Sequence, residues 1–244
     1  MNPSLFRTLL TIVCLAAVLT FCSSDSVRAA DKPNWQAGLT LTGAFPSGEF
    51  SDELDDAGGG IGIDGVWMPN QSPFGLGLAF EYIVYGDQTR REPLSGTIPD
   101  IVVDVNTTNN IVQTHLFLRT GYRHGGLRPY VDALVGFKYL YTRTSLDGVY
   151  DSGGDEIDIG STNFDDWAFS FGLRGGVHIR VYDGFAKKKG YSVFIDLRGG
   201  YLFGGEAEYL KEGSITTSGT SVFYDISQSK TNLAMAHLGV SVDF

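Results

Sequence analysis

Phe74-Gly75-Leu76-Gly77-Leu78-Ala79-Phe80-Glu81-Tyr82-Ile83-Val84 is the stretch on which the fold turns. Its even positions are Phe, Leu, Leu, Phe, Tyr and Val, and its odd positions are Gly, Gly, Ala, Glu and Ile. Apolar residues recurring at every second position describe a β-strand with two unlike faces. One face is apolar throughout, and the other is small or charged.

The same alternation recurs on both sides of this stretch. It runs from Trp35 to Phe45, Ile61 to Trp67, Val112 to Tyr122, Val131 to Tyr141, Trp167 to Val181, Tyr191 to Phe203 and Ala234 to Phe244, making eight runs. Several approach or exceed the 9–11 residues that a tilted strand needs to cross a bilayer. The connections alternate in length. Pro69–Pro73, Arg123–Arg128 and Asp183–Gly190 are short, whereas Ser47–Gly58, Asp87–Thr108, Thr144–Phe164 and Glu206–Ser229 are long. Short turns on one side and long loops on the other are the pattern of an outer-membrane barrel, and an even strand count puts both termini on the short-turn side.

The two faces decide which solvent each one meets. The apolar face carries no charge along whole strands, and its aromatics gather toward strand ends (Trp35, Phe45, Trp67, Phe74, Tyr82, Tyr122, Tyr141, Trp167, Tyr191 and Phe203) as in interfacial girdles. The other face holds Asp64, Glu81, Arg119, Asp132, Lys138, Arg174, Asp196 and Arg198 among glycines, alanines and serines. Balanced charge among small residues suits a narrow lumen in which ions must be paired. By strand direction, Asp196 and Arg198 on the seventh run should lie near Arg174 on the sixth. The expected fold is all-β: an eight-stranded antiparallel up-and-down transmembrane β-barrel. A soluble barrel of the lipocalin kind would place the charged face in water, and it gives no reason for uncharged strands on the other face.

The first residues read as an export signal. Arg7 supplies a basic start, Leu9 to Phe21 is an apolar run too short for an ordinary membrane helix, and Val27-Arg28-Ala29 offers a cleavage site. We therefore expect a signal peptide over 1–29 and a barrel domain over 30–244. Both cysteines, Cys14 and Cys22, fall in the signal. Phe21 is a poor fit before a lipidated Cys22.

Of 244 residues, 28 are acidic and 18 basic, a net charge of −10 that argues against nucleic acid as a partner. The long loops hold 18 acidic and three basic residues (Arg90, Arg91 and Lys211), whereas Arg123, Arg128, Lys187, Lys188 and Lys189 face one acid, Asp183, in the short turns. Acidic loops are expected to be solvated, and sharing of divalent cations with anionic surface sugars is the functional counterpart.

Leu127-Arg128-Pro129-Tyr130-Val131-Asp132-Ala133-Leu134-Val135-Gly136-Phe137 resembles a turn-to-strand segment of the outer-membrane protein β-barrel family, the group that includes OmpA- and OmpX-like barrels. Gly43-Ala44-Phe45-Pro46-Ser47-Gly48-Glu49-Phe50-Ser51-Asp52 is similar to that family's exit from strand one. Leu238-Gly239-Val240-Ser241-Val242-Asp243-Phe244 looks like its terminal signal. The resemblance implies that Val240, Val242 and Phe244 are read by the barrel-assembly machinery; unlike full-length OmpA, this sequence is expected to carry no peptidoglycan-binding domain after the barrel. It also implies a bacterial outer-membrane location among outer-membrane lipids. It specifies architecture and hardly any activity.

Motifs for chemistry are weak. Gly59-Gly60-Ile61-Gly62-Ile63-Asp64-Gly65-Val66 fits a calcium-repeat pattern in a single copy, and that fold needs tandem copies. Asn106-Thr107-Thr108 is a glycosylation sequon by pattern only. Barrels that deacylate or palmitoylate lipids, or cut proteins, need a nucleophile beside a base at the rim. Here His124 falls in a short turn and His115, His178 and His237 face inward, so no enzyme, cofactor or metal is expected. Arg119, Lys138, Phe194 and Arg198 would obstruct a pore. The expected role is structural or surface interaction through an unidentified external ligand. A narrow gated or lateral channel, as in OmpW-like barrels, and a lipid-modifying enzyme are the alternatives.

Overall fold

The computed structural model describes residues 34–54, 57–69, 72–95, 98–147, 159–187, 190–218 and 221–244. The signal segment 1–29, the start of the expected barrel domain at 30–33 and the loop acids Asp55, Asp56, Asp151, Asp155, Glu156 and Asp158 lie outside these residues.

The elements are β1 (Trp35–Pro46), α1 (Glu49–Glu53), β2 (Gly58–Trp67), β3 (Phe74–Ser95), β4 (Ile98–Gly121), β5 (Leu127–Asp147), β6 (Ile159–Asp183), β7 (Ser192–Gly204), β8 (Glu206–Ser218), β9 (Ser221–Lys230) and β10 (Leu233–Asp243). Eight strands close a barrel in the order β1-β10-β7-β6-β5-β4-β3-β2, and every pairing is antiparallel. β8 and β9 form a separate hairpin between β7 and β10. The barrel closes where β1 meets β10, with Trp35 and Phe244 exchanging two backbone hydrogen bonds of 3.0 and 2.9 Å.

The alternation read from the sequence is the inside–outside division of the wall. Leu39, Leu41, Phe171, Leu173 and Leu238 are exposed outward, at 60% and 63% for the first two, whereas Asp132, Lys138 and Asp196 are at 0%. Exposed leucine beside buried aspartate reverses the order of a water-soluble domain. It is the order required where lipid wets the outside.

The long connections differ from the expectation. Asp87–Thr108 continues the β3–β4 ladder up to Ser95↔Ile98, and Thr144–Phe164 continues β5–β6 up to Leu146↔Ile159. Glu206–Ser229 is mostly the β8–β9 hairpin, and Ser47–Gly58 contains α1. Beyond the lipid both faces of a strand meet water, so the period-two signal fades while Thr, Val and Ile still favour extended backbone. The wall is consequently uneven. The β2–β3 ladder ends at Gly59↔Val84, so Tyr85 and the residues after it on β3 run on without β2, while α1 stands after the end of β1.

Candidate functional site

The lumen carries the chemistry, and register places its residues. Direct cross-strand neighbours form the row Gly75, Arg119, Asp132, Arg174 and Gly200 across β3 to β7. Both arginines therefore flank one carboxylate. Arg119 reaches Asp132 with Nε at 2.7 Å and Nη2 at 3.0 Å, and Arg174 reaches it with Nη2 at 2.8 Å and Nε at 3.0 Å. A second row runs through Gly62, Glu81, Gln113 and Lys138. Glu81 accepts from Gln113 and lies 3.0 Å from His237 Nε2 and 3.7 Å from Arg174 Nη1. Close packing needs small residues opposite large ones. A Cβ on Gly77 would stand 2.2 Å from the Phe117 ring, whose centroid is 5.1 Å from both the Arg119 and Arg174 guanidinium carbons.

The other expected charges form a neighbouring group. Arg198 Nη1 lies 2.7 Å from Asp64 and 3.3 Å from Asp196. Asp196 accepts from the Tyr130 hydroxyl at 2.7 Å and lies 3.6 Å from His178 Nε2. Lys138 is the exception: its Nζ donates to the Thr231 carbonyl.

The expected neighbourhood of Arg174 and Asp196 is corrected. The β6–β7 register sets Arg174 opposite Gly200 and Asp196 opposite His178. Arg174 turns instead to Asp132, its direct neighbour on β5. Stagger between tilted strands carries residues of similar chain depth out of register, which strand direction alone does not reveal.

Some participants were not singled out in the sequence. Toward the short-turn end, Arg119 donates to Gln36, Gln36 donates to Asp243 at 2.6 Å, and Arg128 reaches Asp243 at 2.7 Å while its guanidinium sits 4.4 Å from the Phe194 ring centroid. Gln36 and Asp243 occupy inward positions of strands one and eight, so parity could have found them. Arg128 was read as a turn charge.

The external end is apolar, which the expectation of a polar lumen did not include. Phe50, Tyr85, Tyr209 and Leu210 are buried there. Phe50 comes from α1, whose five residues are too few to hold a helix alone. Gly48, at φ 64, turns the chain into it in the left-handed region where glycine carries no Cβ penalty. The Phe50 ring meets Tyr209 edge-on at 5.1 Å and lies 6.4 Å from Tyr85. Burial of such a side chain contributes about 2–3 kcal/mol. Glu53 pairs with Lys211 at 2.6 Å and Glu49 with Lys230 at 3.1 Å. Hydrogen bonding to these lysines holds both carboxyls below the usual carboxylate range.

Among the described residues no group of three His, Cys, Asp or Glu side chains is placed to hold a metal ion. No helix among them is long and apolar enough to cross a membrane.

Three solved structures are similar to this chain. The Yersinia pestis attachment invasion locus protein Ail, in complex with the heparin analogue sucrose octasulfate, aligns at 10% identity and a TM-score of 0.37, covering 86% of this chain and 96% of that one. Neisserial surface protein A aligns at 14% identity and 0.34, with the same coverage of 86% and 96%. The N-terminal β-barrel domain of Pseudomonas aeruginosa OprF aligns at 14% identity and 0.29, covering 88% of this chain and all of that one. No curated protein matches the chain. The family model described as the outer membrane protein beta-barrel domain matches residues 14–192, well over half of the sequence. The inverted wall and closed antiparallel ladder agree with that match, and the chain belongs to the outer membrane protein β-barrel family.

Proposed function

We propose that this protein is a plugged barrel that anchors acidic external segments at the bacterial surface, acting as a structural or surface-interaction protein and not as an enzyme or an open pore. The supporting observation is the succession of side chains along the lumen. Phe50, Tyr85 and Tyr209 occupy the outer end, the Arg119–Asp132–Arg174 and Asp64–Arg198–Asp196 groups the middle, and Arg128, Asp243 and Phe194 the inner end. An eight-stranded wall leaves little more room than its own side chains fill. Recognition would then fall to the parts of β3–β6 and β8–β9 beyond the lipid.

In this reading residues 1–29 are a cleaved export signal, outer-membrane lipids cover the wall, and Val240, Val242 and Phe244 present the outward residues read during barrel assembly. The external ligand is a molecule that tolerates an acidic surface. Purified protein in planar bilayers should give no resolved current steps, and steady unitary currents would overturn the plugged reading. Surface-displayed protein should capture a ligand that is lost when residues 206–230 are replaced by a short turn. Capture that survives the replacement would move recognition to β3–β6.

A further inference from the structure

Phe50 is a foreign body in the lumen. Among the described residues most large side chains there project from a barrel strand or from the β8–β9 hairpin, whereas Phe50, with Leu54 just after it, is inserted by five residues of helix standing where the wall is low. The rings beside it are fixed without its help: the Tyr85 hydroxyl donates to the Leu210 carbonyl at 3.5 Å, and the Tyr209 hydroxyl shares a 2.8 Å hydrogen bond with Ser229. The slot between them is therefore built by β3, β8 and β9, and Tyr85, Ala207 and Tyr209 share one buried hydrophobic cluster with Phe50. What fastens α1 over it, apart from the burial of Phe50 and Leu54, is polar and exposed: the Ser227 hydroxyl donates to Glu53 at 3.3 Å and the Lys230 amide to Glu49 at 3.4 Å. Both lysine–glutamate pairs stand in solvent, with side-chain exposures of 31% and 38% for Lys211 and Glu53, and 52% and 56% for Lys230 and Glu49. Exposed pairs hold weakly and are screened by salt.

We propose that this slot is a binding site for a small aromatic compound arriving from the external side, and that Phe50 is its displaceable stopper. The chemistry of the occupant is read from the group that now fills the slot, a phenyl ring set edge-on to Tyr209. A ligand ring takes the same place as α1 swings out about Gly48, whose positive φ marks the turn into the helix. The site is a pocket and does not depend on whether the lumen below conducts.

The probe is N-phenyl-1-naphthylamine, titrated by fluorescence against protein in lipid nanodiscs, with empty nanodiscs as the baseline and the heat-dependent gel shift as the check of folding. Wild type should bind about one probe per barrel, saturably. Phe50→Ala should bind at least about tenfold tighter, a difference of about 1.4 kcal/mol. Glu49→Gln with Glu53→Gln, which leaves the barrel wall untouched, should bind several-fold tighter than wild type, and added salt should move wild type the same way. Ala207→Trp, which adds bulk on the Tyr209 face of β8 within the buried cluster that holds Phe50, should abolish saturable binding. Binding by Phe50→Ala without any by wild type would make Phe50 an ordinary core residue and overturn the proposal. Equal binding by wild type and Ala207→Trp would place the probe on the lipid-facing wall and overturn it as well.

Discussion

Asp132 sits between two arginines on neighbouring strands and is fully buried. Its carboxylate offsets both guanidiniums, so Asp132→Ala leaves two buried cations short of a partner and should cost about 3–5 kcal/mol in urea unfolding in detergent. In a double-mutant cycle, Arg119→Ala and Asp132→Ala should couple strongly. Arg174→Ala and Asp196→Ala should add within about 0.5 kcal/mol, because register separates them. Strong coupling of the second pair would mean that the β6–β7 register is wrong. At the rim, Glu49 and Glu53 have carboxyl pKa values depressed by hydrogen bonds from Lys230 and Lys211. A depressed carboxyl stabilises the folded state above its unfolded pKa of about 4.3, and that contribution is lost as pH falls through the lower folded value. Carboxyl-carbon NMR titration in micelles should therefore find both midpoints below about 4.3. That all eight expected charges lie on the inner face follows from parity alone, since one step along a strand reverses the side. Which charges pair was not legible, because pairing depends on stagger and on how far a guanidinium reaches.

Within a strand, legibility ended where the lipid ends. Phe74 to Val84 could be read because lipid on one side and lumen on the other demand opposite residues. Thr89 and Asn106, hydrogen-bonded to each other at 2.6 Å above the bilayer, carry no such contrast and were assigned to a loop. α1 was missed for a different reason: a single buried side chain, Phe50, gives no period at all. Inside the bilayer the strands have little tolerance for volume. Gly77→Val should push on the Phe117 ring and cost about 1–3 kcal/mol, measured by urea unfolding. An unchanged midpoint would show that the ring can turn aside. Just past the end of β10, Phe244 is 54% exposed, while its backbone is bonded to Trp35. Removing it should lower the amount of assembled barrel in cells while refolding into micelles changes little. An equal loss in both settings would make it a stability residue.

The barrel satisfies its backbone only by closing, since an open edge in lipid would leave a row of unpaired amides and carbonyls. Unboiled and boiled samples should accordingly migrate differently in detergent electrophoresis, and identical mobility together with solubility in the absence of detergent would contradict the membrane assignment. Closure joins β1 to β10, the barrel strands furthest apart along the chain. This seam imposes an order in time. Every other wall contact can form between strands that follow one another or flank the β8–β9 hairpin, but the last ladder must wait for β10 to arrive. Until then the chain carries two raw edges and an outer face of exposed leucine and phenylalanine through water, a state prone to pairing with its neighbours. The hazard for this protein is thus one of duration: the slower β10 is delivered, the more chains are lost to aggregation, however stable the finished barrel.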